Sequence, residues 1–105
     1  MDKALEQQLR VKVGVLKRAI KEHNMYAEEV QKTEAQLESM GTEHDRYRQI
    51  SDALDESKAM LADAKSRVAD ACSTVQSFLE DNTVPEDAEL CVQAKDFVQQ
   101  ATEVR

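Results

Sequence analysis

No tryptophan occurs in this chain, and two tyrosines and two phenylalanines make up its whole aromatic complement. The interior must therefore be assembled from Leu, Ile, Val and Ala, which suit close helix-to-helix contact better than a broad sandwich core. Turn-forming residues are as scarce. Two glycines and one proline in 105 residues leave little chemistry for the tight connections of an all-β fold. Cys72 and Cys91 stand alone, with no second cysteine two or three positions away, so buried thiols in a reducing compartment are the simplest expectation. Also missing are an apolar run near the ~18–20 residues of a membrane span and a basic opening followed by an apolar core, as an export signal would have. A soluble, unexported protein is expected.

What is present is periodicity. Positions 47, 50, 54, 57, 61, 64, 68, 71, 75 and 78 alternate steps of three and four, and read Tyr47, Ile50, Leu54, Ser57, Leu61, Ala64, Val68, Ala71, Val75 and Phe78. At 3.6 residues per turn this keeps one narrow seam on one side of a helix for about 48 Å. Leu9, Val13, Leu16, Ile20, His23, Ala27, Val30 and Leu37 follow the same alternation upstream, with Glu34 interrupting it, and Leu90, Ala94, Phe97, Ala101 and Val104 form a third stripe.

The three stripes predict one domain, 1–105, an all-α, up-down-up three-helix bundle with left-handed, coiled-coil-like packing and a shorter third helix. The expected helices span about 2–40, 43–81 and 84–104. Gly41 is expected to end the first in a left-handed conformation, and Thr42 to cap the second, with Asp45 three positions on. Thr83, Pro85 and Glu86 fit a capping box for the third, with Pro85 in the first turn. Short joints force neighbouring helices antiparallel, so the third helix should start beside the beginning of the first and cover only part of the groove.

Charge is unevenly placed. The net charge is −7, yet residues 1–21 hold six basic and two acidic side chains against eight basic and nineteen acidic in the remainder. Most of the surface would repel phosphate, which argues against nucleic acid and anionic lipid as partners and leaves one basic end suited to an acidic protein. Asp45, Asp52, Glu56, Asp63 and Asp70 share the face of the second helix opposite its seam and read as a solvated surface.

No catalytic constellation, cofactor loop or metal-ligand spacing is found. His23 and His44 lie on different segments, and neither has a second ligand at helix-turn spacing. His23 falls within the first seam, where a hydrogen-bonded, partly buried imidazole is expected. A slender Ala-rich bundle offers no closed pocket for paired acid–base work, so a non-enzymatic protein is expected.

The first helix carries more than a bundle requires. Lys3, Arg10, Lys17 and Lys21 cluster away from the seam with Gly14 among them, beside a stripe of Val11, Val15, Arg18, Glu22 and Met25. Apolar residues mixed with Arg and Lys suit an interface; alternatively, Val11 and Val15 widen the core stripe. Gly14 costs about 1 kcal/mol in mid-helix relative to Ala, which invites either a close approach by a partner or a tolerated defect.

The stretch Leu9–Tyr26, with Gly14, Val15, Lys17 and Arg18, then Lys21 and Glu22, then Met25 and Tyr26, resembles the opening helix of the tubulin-binding cofactor A family. Glu56, Ser57, Met60, Asp63, Val68, Ala71 and the closing Phe78, Leu79 and Glu80 are similar to that family's second helix. Family members often carry a proline in mid-helix two, where this chain has Ala62, so a straighter helix is expected here. The resemblance implies a cytoplasmic, cytoskeleton-associated tubulin-folding chaperone, monomeric or homodimeric. It would capture β-tubulin after chaperonin release and pass it on toward αβ-heterodimer assembly, with other tubulin-folding cofactors as further partners. Lys12, Gly14, Lys17, Arg18, Lys21, Met25 and Tyr26 are the expected β-tubulin contacts. The competing reading is a structural coiled-coil adaptor or spectrin-like module acting by self-association.

Overall fold

Two helices run nearly the full length of the molecule because each carries a long seam, broken only at Glu34 on the first. In the computed structural model, which describes residues 2–104, α1 spans Lys3–Ser39, α2 Tyr47–Asp81 and α3 Glu89–Thr102. No strand occurs among the described residues. The rod measures 62 × 18 × 17 Å. Every apolar position of the α2 ladder is buried or half-buried, and Ser57, its one small polar member, is buried with it. On α1, Leu9, Val13, Leu16, Ile20, His23 and Val30 are buried, whereas Glu34 stays exposed at its seam position. The His23 ring lies with Nδ1 3.0 Å from Asn24 Oδ1.

Cross-helix contacts fix the directions. Glu22 pairs with Arg67 and Lys12 lies over Phe78, so positions on α2 rise as those on α1 fall. Along α3 they rise together: Glu6 lies near Pro85 and Glu89, and Lys17 near Asp96 and Phe97. The course is up-down-up.

The third helix has 14 residues against 37 in α1, about 21 Å against 56 Å at 1.5 Å per residue. It packs only over the first half of α1 and the second half of α2. There Leu9, Leu16, Val75 and Ala94 are wholly buried, joined by Val13, Ile20, Val68, Cys72, Phe78 and Ala101. Beyond it, α1 and α2 continue as a two-helix arm whose seam residues Ala27, Leu37, Leu61 and Tyr47 are only half-buried.

The joints differ from the sequence-based expectation. Helix α1 is capped at its start by the Asp2 carboxylate, which accepts from the Ala4 amide at 2.9 Å. At its end Met40 takes an extended conformation and donates to the Leu37 carbonyl. Gly41 has no positive φ, so the left-handed termination does not form. Helix α2 begins at Tyr47 rather than residue 43. Thr42 does not cap it, because residues 41–46 are spent in turns closed by the His44 amide donating to Gly41 and the Tyr47 amide donating to His44. Helix α3 begins at Glu89 rather than residue 84. The Thr83 capping box does not form and no side chain caps this helix. Val84 packs against the core instead, and the Ala88 amide donates to the Pro85 carbonyl at 3.2 Å. Burying Val84 while crossing from α2 to α3 takes the segment off a helical path. Helix α2 passes through Ala62 without a break.

Cys72 and Cys91 are both buried free thiols, and burial pushes the Cys72 thiol up from its ordinary value. A raised thiol pKa means that the fold holds the proton more tightly than the unfolded chain does. Stability is therefore full below the ordinary thiol range and falls as pH rises through it. Urea melts at pH 7.5 and 9.5 should show a loss in the wild type that is smaller in Cys72→Ala. Leu16→Ala, which empties the wholly buried centre of the three-helix end, should cost about 2–5 kcal/mol in the same assay. Met60→Ala, on an exposed side chain, should stay within about 0.5 kcal/mol of wild type.

Candidate functional site

The first helix must turn its seam inward, so its opposite side is offered to solvent along the whole rod. On that side Val11, Val15 and Met25 are 54%, 44% and 55% exposed. They do not widen the core. Among the described residues they make up three of the five large apolar side chains that stand exposed, the others being Met60 on α2 and Val92 on α3. Lys17, Arg18 and Lys21 are exposed among them.

The basic side chains of α1 are not equivalent. Arg10 pairs with Glu6 at 3.0 Å, one turn away on the same helix. Lys12 is half-buried, with Nζ 5.4 Å from the centre of the Phe78 ring, so its charge is attracted to an aromatic face on α2. Among the described residues, Lys17, Arg18 and Lys21 make no ion pair. These three lie within one turn and a half of helix; Lys3, at the start of α1, is exposed and likewise in none of these ion pairs.

The seven expected contacts do not form one compact patch. Lys12 to Tyr26 spans about 21 Å of helix, and the intervening residues fall on both flanks of α1. Gly14 and Lys17 line an open groove of about 320 Å³ between α1 and α3, with Arg10, Leu90, Gln93 and Phe97. Arg18 and Val15 line a second groove, about 390 Å³, between α1 and α2, with Ala19 and Ala71 beneath them and Arg67, Asp70 and Thr74 opposite. Lys12 borders a third with Ser73, Thr74, Ser77 and Phe78. Lys21 and Met25 are exposed, and Tyr26 is half-buried.

Residues of α2 complete two of these grooves, and the sequence gives no direct sign of them. Finding Arg67 and Ala71 opposite Arg18 and Val15 requires the antiparallel register, which depends on the joint lengths. The Glu22–Arg67 pair, 3.7 Å apart with both side chains about half exposed, marks that register and adds little stability. Among the described residues no group of three His, Cys, Asp or Glu side chains is placed to hold a metal ion, and no helix is long and apolar enough to cross a membrane.

Nothing inside the molecule explains Gly14. A Cβ built there would meet only Arg18 Nη1, at 3.9 Å, an ordinary contact with the end of a flexible side chain. Internal packing does not require the glycine.

A sequence model of the tubulin binding cofactor A family matches residues 4–98. The chain belongs to this family. Among relatives of the tubulin binding cofactor A family, tubulin-specific chaperone A of Oryctolagus cuniculus is 35% identical over 85 residues, covering 78% of this chain and 79% of that protein. The Homo sapiens protein of the same name is 35% identical over 86 residues, with the same coverage. Tubulin folding cofactor A from Arabidopsis thaliana superposes with a TM-score of 0.86 at 25% identity, over 97% of this chain and 99% of that one. Tubulin-binding cofactor A from Leishmania major superposes with a TM-score of 0.82 over 98% of both chains; at 24% identity this speaks for the fold. The short third helix and the two-helix arm are thus set in an architecture shared across distant members of the cofactor A family.

Because no internal contact needs Gly14, Gly14→Ala should stabilise the chain by about 0.5–1 kcal/mol through helix propensity alone. A urea melt followed by circular dichroism reads this directly.

Proposed function

We propose that this chain is a tubulin-folding cofactor that captures β-tubulin after its release from the chaperonin and passes it on toward the αβ heterodimer, without chemistry of its own. One observation carries the reading. The outward side of α1 sets three exposed cations, Lys17, Arg18 and Lys21, which make no ion pair among the described residues, beside the exposed apolar side chains Val11, Val15 and Met25. Relatives bearing the name tubulin-specific chaperone A support it.

The mechanism is mass action. A subunit that lacks its partner exposes apolar surface, and a ligand that binds the folded subunit but not its unfolded or aggregating forms lowers their populations in proportion to its free concentration over Kd. Apolar side chains of α1 supply contact area, while the cations speed encounter with an acidic client and set orientation. Release follows when the α subunit, or another folding cofactor, competes for the covered surface. Lys12, held over Phe78, and Tyr26, half-buried beside the seam, frame the contact at its two ends. Gly14 lets the client's backbone come close to α1 where a side chain would hold it off. This activity belongs to the cytoplasm, where tubulin folds.

The test combines the two kinds of contact. Lys17→Glu, Arg18→Glu and Lys21→Glu together should weaken β-tubulin capture about ten- to a hundred-fold, with helicity and urea midpoint nearly unchanged because all three residues are exposed. Co-purification from cytosol should recover β-tubulin in preference to α-tubulin or actin with the wild type and lose it with the triple variant. Undiminished capture would move the contact off α1.

A further inference from the structure

We propose that the open groove between α1 and α2, on the side away from α3, seats a single amphipathic helix of the client. This rests on the reading of the chain as a β-tubulin cofactor, and adds to it the wall of α2, the form of the client segment and its orientation. Two adjoining grooves make the seat. One is bordered by Val15, Arg18 and Asp70 over a floor of Ala19 and Ala71. The other is bordered by Lys12, Ser77 and Asp81 beside Phe78, and Thr74 lines both. Among the described residues none of α3 borders either groove; α3 meets α1 along Gly14 and Lys17, and α2 along Gln76 and Leu79. From Lys12 to Glu22 the seat is about 15 Å long at 1.5 Å per residue, room for nearly three turns of helix.

The walls determine what can lie there. Both are helices, whose backbone amides and carbonyls are already bonded within their own turns. An extended segment laid against them would find no backbone partner, whereas a helix arrives with its own bonds satisfied and needs only side-chain contact. The floor suits a helix as well. Ala19 and Ala71 are 8% and 7% exposed and too small to fill the valley above them, so a ridge of apolar side chains can enter between α1 and α2.

Charge sets the orientation. Glu22 and Arg67 face each other across one end of the seat and neutralise each other. That leaves two cations on the α1 wall, Lys12 and Arg18, and two carboxylates on the α2 wall, Asp70 and Asp81. Among the described residues none of these four is in an ion pair. The groove therefore has one positive and one negative wall. The helix that fits it carries acids along the edge over α1 and Lys or Arg along the edge over α2, with apolar residues three and four apart between them. A helix with one sign of charge on both edges would be repelled at one wall.

Reversing the α2 wall separates this from plain attraction. Asp70→Lys with Asp81→Lys moves the net charge from −7 to −3, since each reversal adds two; attraction of an acidic client to a basic face would then tighten capture. The groove demands the opposite: capture of β-tubulin weakened about five- to fifty-fold, with helicity unchanged because both residues are exposed. Thr74→Trp, which fills the seat from an exposed position, should weaken capture as much, and Thr74→Ala should leave it unchanged. A photoreactive p-benzoylphenylalanine in place of Thr74, irradiated in the complex, should attach to one β-tubulin segment with that order of acidic, apolar and basic edges. Full or tighter capture by the double reversal, or full capture by Thr74→Trp, would overturn the groove. If the triple reversal of Lys17, Arg18 and Lys21 still abolished capture in that case, α1 would remain the contact without it. Attachment to a strand or an extended segment would overturn it too, and a wild type that captures no β-tubulin would remove the reading beneath it.

Discussion

The antiparallel seam between α1 and α2 carries the molecule. Alone, the helices would place apolar stripes of about 42 Å (α1) and about 48 Å (α2) in water, and each finds in the other a complementary edge. Leu9, Leu16, Val68 and Val75 show the outcome, with no more than 1% of any of them left accessible. The third helix has fewer large residues and depends on the pair: Ala94 and Cys91 allow it to lie close, and Leu90, Phe97 and Val98 pack against a core already defined by the other two. Small side chains suit this position, because a bulky third stripe would push the helices apart and open the seam that supports everything else.

This constraint also assigns the surfaces. Once α1 commits its seam to α2 and one flank to α3, its remaining side is determined by helical geometry, and Val11, Arg18 and Met25 occupy it. The exposed apolar residues there cannot be recruited inward without rotating the whole helix and withdrawing Leu9, Val13 and Leu16. An outward face of this kind is stable against collapse into the core. It needs no separate scaffold, since the rigidity of the seam is transmitted directly to the residues on its back.

How far the sequence could be read depended on the range of the interactions involved. The helices were legible because their signal repeats: ten positions of one ladder must all be wrong before α2 is wrong, and even Ser57 and His23 are buried where periodicity puts them. The exposed cations Lys17, Arg18 and Lys21 were legible for the same reason. The joints were not, because each rests on one or two residues that a competing contact can override. Thr42 and Thr83 are good caps in isolation, but His44 closes one joint and the burial of Val84 reshapes the other. The grooves were the least accessible. Arg67 and Ala71 take their meaning from what lies opposite them, and that register is not written in any local stretch. Gly14 was noticed as an anomaly, yet only the space around it shows that no neighbour in the fold requires it.

The brevity of α3 gives the rod a gradient of stiffness. One end has three mutually packed helices; the other has two, joined by exposed turns at residues 41–46. Opening free energy follows the apolar surface that each segment buries, so local opening starts in the two-helix end, which has no third helix packed on it. The outward residues of α1 from Val11 to Arg18 lie over the three-helix end and keep their spacing when the other end opens. Met25 and Tyr26 lie just past it, toward the end that opens first.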